Sequence, residues 1–284
     1  MKPLKKVAVI GGDERCRVCA DLFAGSGSEC AVFGMEKSSQ SCFATKCMTL
    51  SDALGGCDVL LLPLPVMQDS TFINTPLSNE RIALSDIISL IDDNAVIFAG
   101  NPGKCFFAAL HAAGAKNEVI NYTEIPAFSI LGCVPTAEGA AAEVSKMTGK
   151  TVSGSVILVT GCGRVGKHLA RLLKAMDAAV FVSARKSEDL AWIEANGMHP
   201  LRTDQLRDCN VSFDLICNTV PALIFDEKTL SSLKGSPAIM ELASKPYGAG
   251  FKCRQKSVTL SLHGETKPAA KSFFMLFTAG NFIS

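Results

Sequence analysis

The most chemically informative spacing in the sequence is Gly161-Cys162-Gly163-Arg164-Val165-Gly166, directly after the apolar run Val156-Ile157-Leu158-Val159-Thr160. A G-x-G-x-x-G segment between a strand and a helix divides the holding of a pyrophosphate among three glycines. Gly161 permits the tight turn, Gly163 lets the backbone approach the phosphates, and Gly166 lets helix and strand pack closely. The N–H groups of the helix opening at Arg164 and Val165 then meet the negative charge. The pattern predicts a dinucleotide site, and the next strand end bears on which dinucleotide. A free ribose 2′-hydroxyl calls for Asp or Glu about 20 residues on. The chain instead reads Val182-Ser183-Ala184-Arg185-Lys186-Ser187. Arg185 and Lys186 can neutralise a 2′-phosphate, Arg185 through its forked donors, and Ser183 or Ser187 can bond it. The competing reading is a solvated basic turn. NADP is expected in preference to NAD.

A second glycine turn, Gly11-Gly12-Asp13-Glu14-Arg15, follows the apolar run from Lys6 to Ile10. It lacks the third glycine and carries two acids where phosphate would sit, so no second dinucleotide is expected there. Arg15, at the start of the following helix, is a candidate for gripping a carboxylate; its alternative is to pair with Asp13 or Glu14. Cys16 and Cys19 form a C-x-x-C pair with no second pair to complete a zinc site, so they are read as residues of the first helix and no metal is expected.

Positioning these residues requires an alternating scaffold, and strand and helix signals do alternate along the chain. Lys6 to Ile10, Cys30 to Phe33, Cys57 to Leu62, Ala95 to Phe98 and Glu118 to Asn121 read as strands of a first Rossmann- or flavodoxin-like substrate domain over residues 1–125. Residues 126–150 form a linker whose helix is predicted over Thr136 to Met147, with Pro135 as boundary and Thr136 as N-cap. Strands at Ser155 to Thr160, Ala179 to Ser183, Asp214 to Asn218 and Ala238 to Leu242, with helices at Gly166 to Met176 and Ser187 to Asn196, define an NADP-binding Rossmann domain over 151–265. Residues 266–284 read as a C-terminal helix that packs back on the first domain. The fold class is therefore α/β, two doubly wound parallel-sheet domains joined by a linker helix. The 284-residue chain is long enough for both, and its formal net charge of +1 points to neither nucleic acid nor an acidic membrane surface. Its apolar runs are far shorter than the roughly 18 residues that span a bilayer. The 12 cysteines are read as small buried residues rather than a disulfide framework. A cytoplasmic protein is expected.

Several separated segments together resemble the A subunit of bacterial dipicolinate synthase. They are Ala8-Val9-Ile10-Gly11-Gly12-Asp13-Glu14-Arg15, Leu77-Ser78-Asn79-Glu80, Val134-Pro135-Thr136-Ala137-Glu138-Gly139, Ser183-Ala184-Arg185, Asn218-Thr219-Val220-Pro221 and Glu241-Leu242-Ala243-Ser244-Lys245-Pro246, besides the glycine loop itself. The resemblance covers most of the chain. It departs at Gly132-Cys133 and from Leu262 to Lys271, where only Leu262, Gly264 and Pro268 stay in register. What it implies is oxidation of dihydrodipicolinate to dipicolinate with NADP, alongside a flavoprotein-like B subunit, in sporulation. Thr219, Val220 and Pro221 then join the cofactor contacts. A dianionic substrate calls for cationic or N–H partners and a base. Arg15 and Lys245 are candidates for the grip, with Ser78, Asn79 and Thr136 as neutral contacts in a substrate cleft near residues 130–140. Glu138 and Glu241 are candidate bases, although Glu138 near an expected helix start is equally explained by the helix dipole. His263 has the pKa for proton transfer, or is an ordinary core or surface residue. Two other functions stay open: a stand-alone NADP-dependent oxidoreductase acting on another carboxylate, and a nucleotide-binding scaffold subunit without turnover. Association into a homo-oligomer is also left open.

Overall fold

The structure is a computed structural model and describes residues 6–38, 43–243 and 257–259. Contacts divide it into two units with a boundary between Gly132 and Cys133.

In the first unit, β1 (Lys6–Ile10), β2 (Glu29–Phe33), β3 (Thr45–Lys46), β4 (Val59–Leu61), β5 (Val96–Ala99) and β6 (Val119–Asn121) alternate with α1 (Glu14–Gly25), α2 (Leu50–Leu54), α3 (Leu84–Leu90) and α4 (Lys104–Ala112). The strands form one parallel sheet in the order β3-β2-β1-β4-β5-β6. Residues Val7, Ala8, Val9 and Ile10 are all buried because both faces of the sheet are covered. With the period of two of a strand, Val7 and Val9 join a cluster with Phe23 and Phe98, while Ala8 and Ile10 join Leu60, Ile87 and Phe106.

The helix α5 (Pro126–Thr148) crosses the boundary. The sequence predicts a start at Thr136, capped behind Pro135; the helix in fact runs back to Pro126. Proline suits the first helical position, where its missing N–H costs nothing. Pro135 lies inside, so Leu131 receives no N–H from the fourth residue onward. The packing of Ala137, Ala140, Ala141 and Val144, one buried stripe at helical spacing, outweighs that loss. Thr136 is consequently interior to the helix rather than its N-cap, and Glu138 is an exposed mid-helix residue, away from the positive end of the dipole.

The second unit repeats the plan. Strands β7 (Val156–Thr160), β8 (Ala179–Ala184), β9 (His199–Arg202), β10 (Leu215–Asn218), β11 (Ala238–Glu241) and β12 (Ser257–Thr259) alternate with α6 (Arg164–Ala175), α7 (Ser187–Ala195) and α8 (Glu227–Ser232). Its parallel sheet has the order β12-β11-β10-β7-β8-β9. Counted within each unit, both orders are 3-2-1-4-5-6, which places the point of reversal between the first and fourth strands. Ile157 and Val159 pack with the α5 stripe and Leu173, while Leu158 faces Phe213, Phe225 and Ile239. The expected two-domain α/β architecture is present. No helix among the described residues is long and apolar enough to cross a membrane.

Candidate functional site

At the carboxyl end of β7 the chain turns at Gly161, whose φ of +93° only glycine adopts readily. Its N–H donates to Ser183 O at 3.0 Å. A Cβ on Gly161 would lie 2.6 Å from Val220 Cγ2, and one on Gly166 would lie 2.1 Å from Gly161 O. These two glycines are needed for the turn and for the approach of α6 to its strand. Gly163 differs, because a Cβ there would meet nothing within 4 Å. It is the N-cap of α6 and offers no side chain to the first N–H groups of the helix. The loop therefore presents backbone donors, an open approach and the positive end of a 12-residue helix. Those features fit the pyrophosphate of a dinucleotide. Arg164 is exposed at the first helical position, and Val165 is half-buried beside it.

The strand end that discriminates nucleotides is β8. Ala184, buried, stands where an acid would be expected for NAD, and Arg185, Lys186 and Ser187 are exposed immediately after it. Lys186 lies 3.5 Å from Glu188. Arg185 makes no hydrogen bond or ion pair among the described residues. Ser183 is elsewhere: it is fully buried, accepts from Thr203 Oγ1 at 3.4 Å, and its carbonyl holds Gly161. It is not brought to the exposed turn with Arg185.

The loop after β10 lies against the glycine loop. Both the N–H and the hydroxyl of Thr219 donate to Thr160 O, at 3.1 and 2.7 Å, and Val220 N–H donates to Asn218 Oδ1 at 3.3 Å. Pro221 is exposed beyond them. Two groupings around the loop escape sequence reasoning, which names Glu241 only singly, as a candidate base. One is the buried set Thr160, Asn218 and Glu241, whose members are register partners on adjacent strands. Their signal is a polar residue closing each apolar strand. The other joins Cys162 to Asp189, which pairs with Lys167 at 2.9 Å while Lys167 lies over the Trp192 ring. Burial, with Asp189 beside it, pushes the Cys162 thiol up to about 11, so it is not a thiolate nucleophile at neutral pH.

In the first unit the equivalent turn is closed. Gly11 N–H donates to Phe33 O as Gly161 does to Ser183 O, but Gly12 N–H is taken by Asn74 O at 2.9 Å. Side chains at Gly11 or Gly12 would strike Thr75 or Cys16. The chain's own segment thus occupies the space above this loop. Asp13 caps α1, accepting from Arg15 N–H at 2.9 Å, and also receives the Arg15 guanidinium through Nε at 3.0 Å and Nη2 at 2.8 Å. Nη2 reaches Leu64 O at 3.1 Å as well. Arg15 thereby joins the helix after β1 to the segment after β4, across the point of strand reversal. Burial works against its charge, but the hydrogen bond and charge of Asp13 hold the guanidinium above its ordinary pKa. Its Nη1 has no partner among the described residues.

The remaining candidates divide among the segment after β4, the helix α5 and residues outside the described ones. The buried Ser78 hydroxyl accepts from Glu80 N–H at 3.0 Å, its carbonyl takes Lys37 Nζ at 2.6 Å, and Asn79 is exposed. Thr136 is half-buried and Glu138 exposed on α5. Lys245, His263 and the expected helix of residues 266–284 lie outside the described residues. Cys16 and Cys19 are both buried in α1, and burial pushes Cys16 up to about 12. Among the described residues no group of three His, Cys, Asp or Glu side chains could hold a metal ion.

Comparison with known proteins separates the two units in the same way. Residues 6–116 match the family model of the N-terminal domain of the dipicolinate synthase A subunit. Residues 136–243 match that of the D-isomer specific 2-hydroxyacid dehydrogenase NAD binding domain, which indicates a nicotinamide cofactor for the second unit. The dipicolinate synthase A subunit of Bacillus subtilis strain 168 is 31% identical over 253 residues, 88% of this chain and 84% of that protein. Among solved structures, the dipicolinate synthase A subunit from Bacillus halodurans superposes with a TM-score of 0.84 at 26% identity, covering 97% of each chain. Its counterpart from Bacillus subtilis superposes with a TM-score of 0.83 at 28% identity, covering 98% of this chain and 96% of that one. An N-terminal unit matching a model particular to one enzyme, joined to a dehydrogenase nucleotide domain and related over nearly nine-tenths of its length to one such protein, settles the kinship: this chain belongs to the family of dipicolinate synthase A subunits.

Proposed function

We propose that the chain is the NADP-dependent A subunit of a dipicolinate synthase, oxidising dihydrodipicolinate to dipicolinate together with a flavoprotein-like B subunit. The observation that carries this reading is the open backbone at Gly163 in front of α6, followed at the next strand end by buried Ala184 and unpaired Arg185. A loop so arranged suits a pyrophosphate, and a guanidinium in place of an acid suits a 2′-phosphate. Gly161, Gly163, Gly166 and the first N–H groups of α6 would hold the pyrophosphate, with Thr219, Val220 and Pro221 alongside and Arg185 and Lys186 at the 2′-phosphate. A bound nicotinamide would supply the acceptor for a hydride from one ring carbon of the dihydropyridine. A proton leaves another ring carbon, and the ring becomes aromatic.

Aromatisation supplies much of the driving force, so the residues of this chain chiefly bind and orient. The substrate carries two carboxylates. Arg15 is the cation we assign to one of them, because Asp13 and Leu64 O fix its plane while Nη1 keeps its donors free. Asp13 is in this reading the orienting partner of Arg15, and Ser78, Asn79, Thr136 and Lys245 are the further contacts we propose. Glu138 and His263 remain the proposed proton acceptors.

Arg15→Ala is expected to raise KM for dihydrodipicolinate at least about tenfold, the loss of one charge-assisted hydrogen bond or more. Its NADPH affinity is expected to stay within about twofold of the unaltered chain, since Arg15 forms no part of the nucleotide loop and independent sites add. Steady-state assays with the partner subunit, paired with NADPH titration, check this. Equal effects on both constants, or on neither, would remove Arg15 from the substrate site.

A further inference from the structure

Glu241 is only 4% exposed, at the end of a strand that is otherwise apolar. A buried carboxyl group must be satisfied by hydrogen bonds. Its Oε1 accepts from Asn218 Nδ2 at 2.7 Å and from Ala243 N–H at 3.2 Å. Asn218, fully buried one strand away, uses both ends of its amide. Oδ1 accepts from Thr160 Oγ1 at 2.5 Å and from Val220 N–H at 3.3 Å, while Nδ2 also donates to Val220 O at 3.1 Å. Thr160, Asn218 and Glu241 stand opposite one another in the register of β7, β10 and β11. Their side chains tie three strand ends together where the glycine loop begins.

An asparagine amide has one donor end and one acceptor end, and its neighbours decide which way it faces. Glu241 offers only an oxygen to Asn218, so Nδ2 must face β11 and Oδ1 must face β7. Turned over, Oδ1 would oppose Glu241 Oε1, and Val220 N–H would confront an NH2 group. The direction matters because the loop held by Asn218 is the one that rests on Gly161: Thr219 donates twice to Thr160 O, and Val220 Cγ2 fills the space a Cβ of Gly161 would need. We infer that Glu241 is a positioning residue of the nucleotide site, setting the direction of the Asn218 amide and so locking the loop after β10 against the glycine loop after β7. This rests on the nucleotide reading above, and neither Glu241 nor Asn218 is required to touch the ligand.

The test is a swap of polarity in the full chain. Asn218→Asp sets two carboxyl groups face to face, and Glu241→Gln removes the fixed acceptor. In the double variant the amide introduced on β11 can donate to the carboxylate introduced on β10, whose other oxygen still accepts from Thr160 Oγ1 and Val220 N–H, while the hydrogen bonds to Val220 O and from Ala243 N–H are not restored. NADPH titration by nucleotide fluorescence and thermal melting without nucleotide are measured for all four proteins. Asn218→Asp is expected to raise the NADPH Kd at least about tenfold, and Glu241→Gln by roughly threefold or more. The double variant is expected to bind NADPH at least about threefold more tightly than Asn218→Asp, a partial recovery that is the signature of a coupled pair. A purely structural role predicts lowered melting temperatures with unchanged Kd, and that result, or a double variant no better than Asn218→Asp, would overturn the inference. Should Asn218→Asp not fold, Thr160→Val removes only the hydroxyl whose hydrogen bond Asn218 accepts; it is expected to weaken NADPH binding, and an unchanged Kd would overturn the inference. Binding by the unaltered chain with insensitive variants would defeat the positioning role alone. Failure of the unaltered chain to bind NADPH or NADH would defeat it together with the nucleotide reading.

Discussion

Gly163, the N-cap of α6, and Gly166, in the first turn of that helix, stand three residues apart, and their surroundings predict opposite consequences for the same substitution. A methyl group on Gly163 enters open space at an ordinary negative φ of −81°. Gly163→Ala should therefore fold with its melting temperature nearly unchanged, yet weaken NADPH binding, because the space it fills is the one a phosphate needs. A methyl group on Gly166 meets Gly161 O at 2.1 Å, a backbone atom that cannot swing aside. Gly166→Ala should cost about 1–3 kcal/mol or more of stability by overpacking. Thermal melting with and without NADPH separates the two, and equal melting temperatures for both variants would contradict these assignments. The turn at Gly161 and the close packing at Gly166 were legible in the sequence, since each follows from its place between strand and helix. The clamp of Thr160, Asn218 and Glu241 was not, because its members are far apart in the chain and meet only through the register of three strands. Ser183 shows the same limit: as the residue before Ala184 it reads as a ligand contact, whereas the strand's alternation turns its hydroxyl toward Thr203.

Among the elements, strands with apolar runs were legible to within a residue or two, the edge strand β6 included, whereas the edge strands β3 and β9 were not. β3 has two residues, and β9 contains Pro200, which reads as a turn but is tolerated on an edge. For α5 the local signals pointed to Thr136, and tertiary packing of its alanine stripe carried the helix through Pro135 instead. Pairing of β7 with β10 carries an electrostatic element as well. Asp214, just before β10, accepts from Lys150 Nζ at 2.5 Å and from Val156 N–H at 2.8 Å. The Lys150 bond first, then the Val156 N–H, hold its carboxyl below the ordinary 3.8, outweighing partial burial. A carboxylate depressed on folding contributes stability that is fully present above its unfolded value and is lost as pH falls through the folded value. Asp214→Asn should thus cost about 1–2 kcal/mol at neutral pH, and the gap from the unaltered chain should close as pH drops below 3.8. Melting curves between pH 7 and pH 3 measure it; a gap that stays constant over this range would show that Asp214 acts without its charge.

Across the whole molecule, two units of the same strand order differ at the turn after the first strand. In the second unit that turn is open at Gly163; in the first it is capped by Asn74 O and the neighbouring Thr75. The alternation of strands and helices made both units legible, and the missing third glycine after Gly12 set the first turn apart from the second. What fills it was not legible, because the long stretch between β4 and α3 carries no periodic signal and its placement depends on isolated contacts such as Met67 with Ile73 and Phe72 with Ala83. Binding of NADP(H) by the second unit is tested by titration of the intact chain with NADPH and NADH, beside Arg185→Ala. NADPH is predicted to bind at least about tenfold tighter than NADH, with that preference lost in Arg185→Ala, a difference of about 1.4 kcal/mol or more. Binding of neither nucleotide, or tighter binding of NADH with no response to Arg185→Ala, would contradict it.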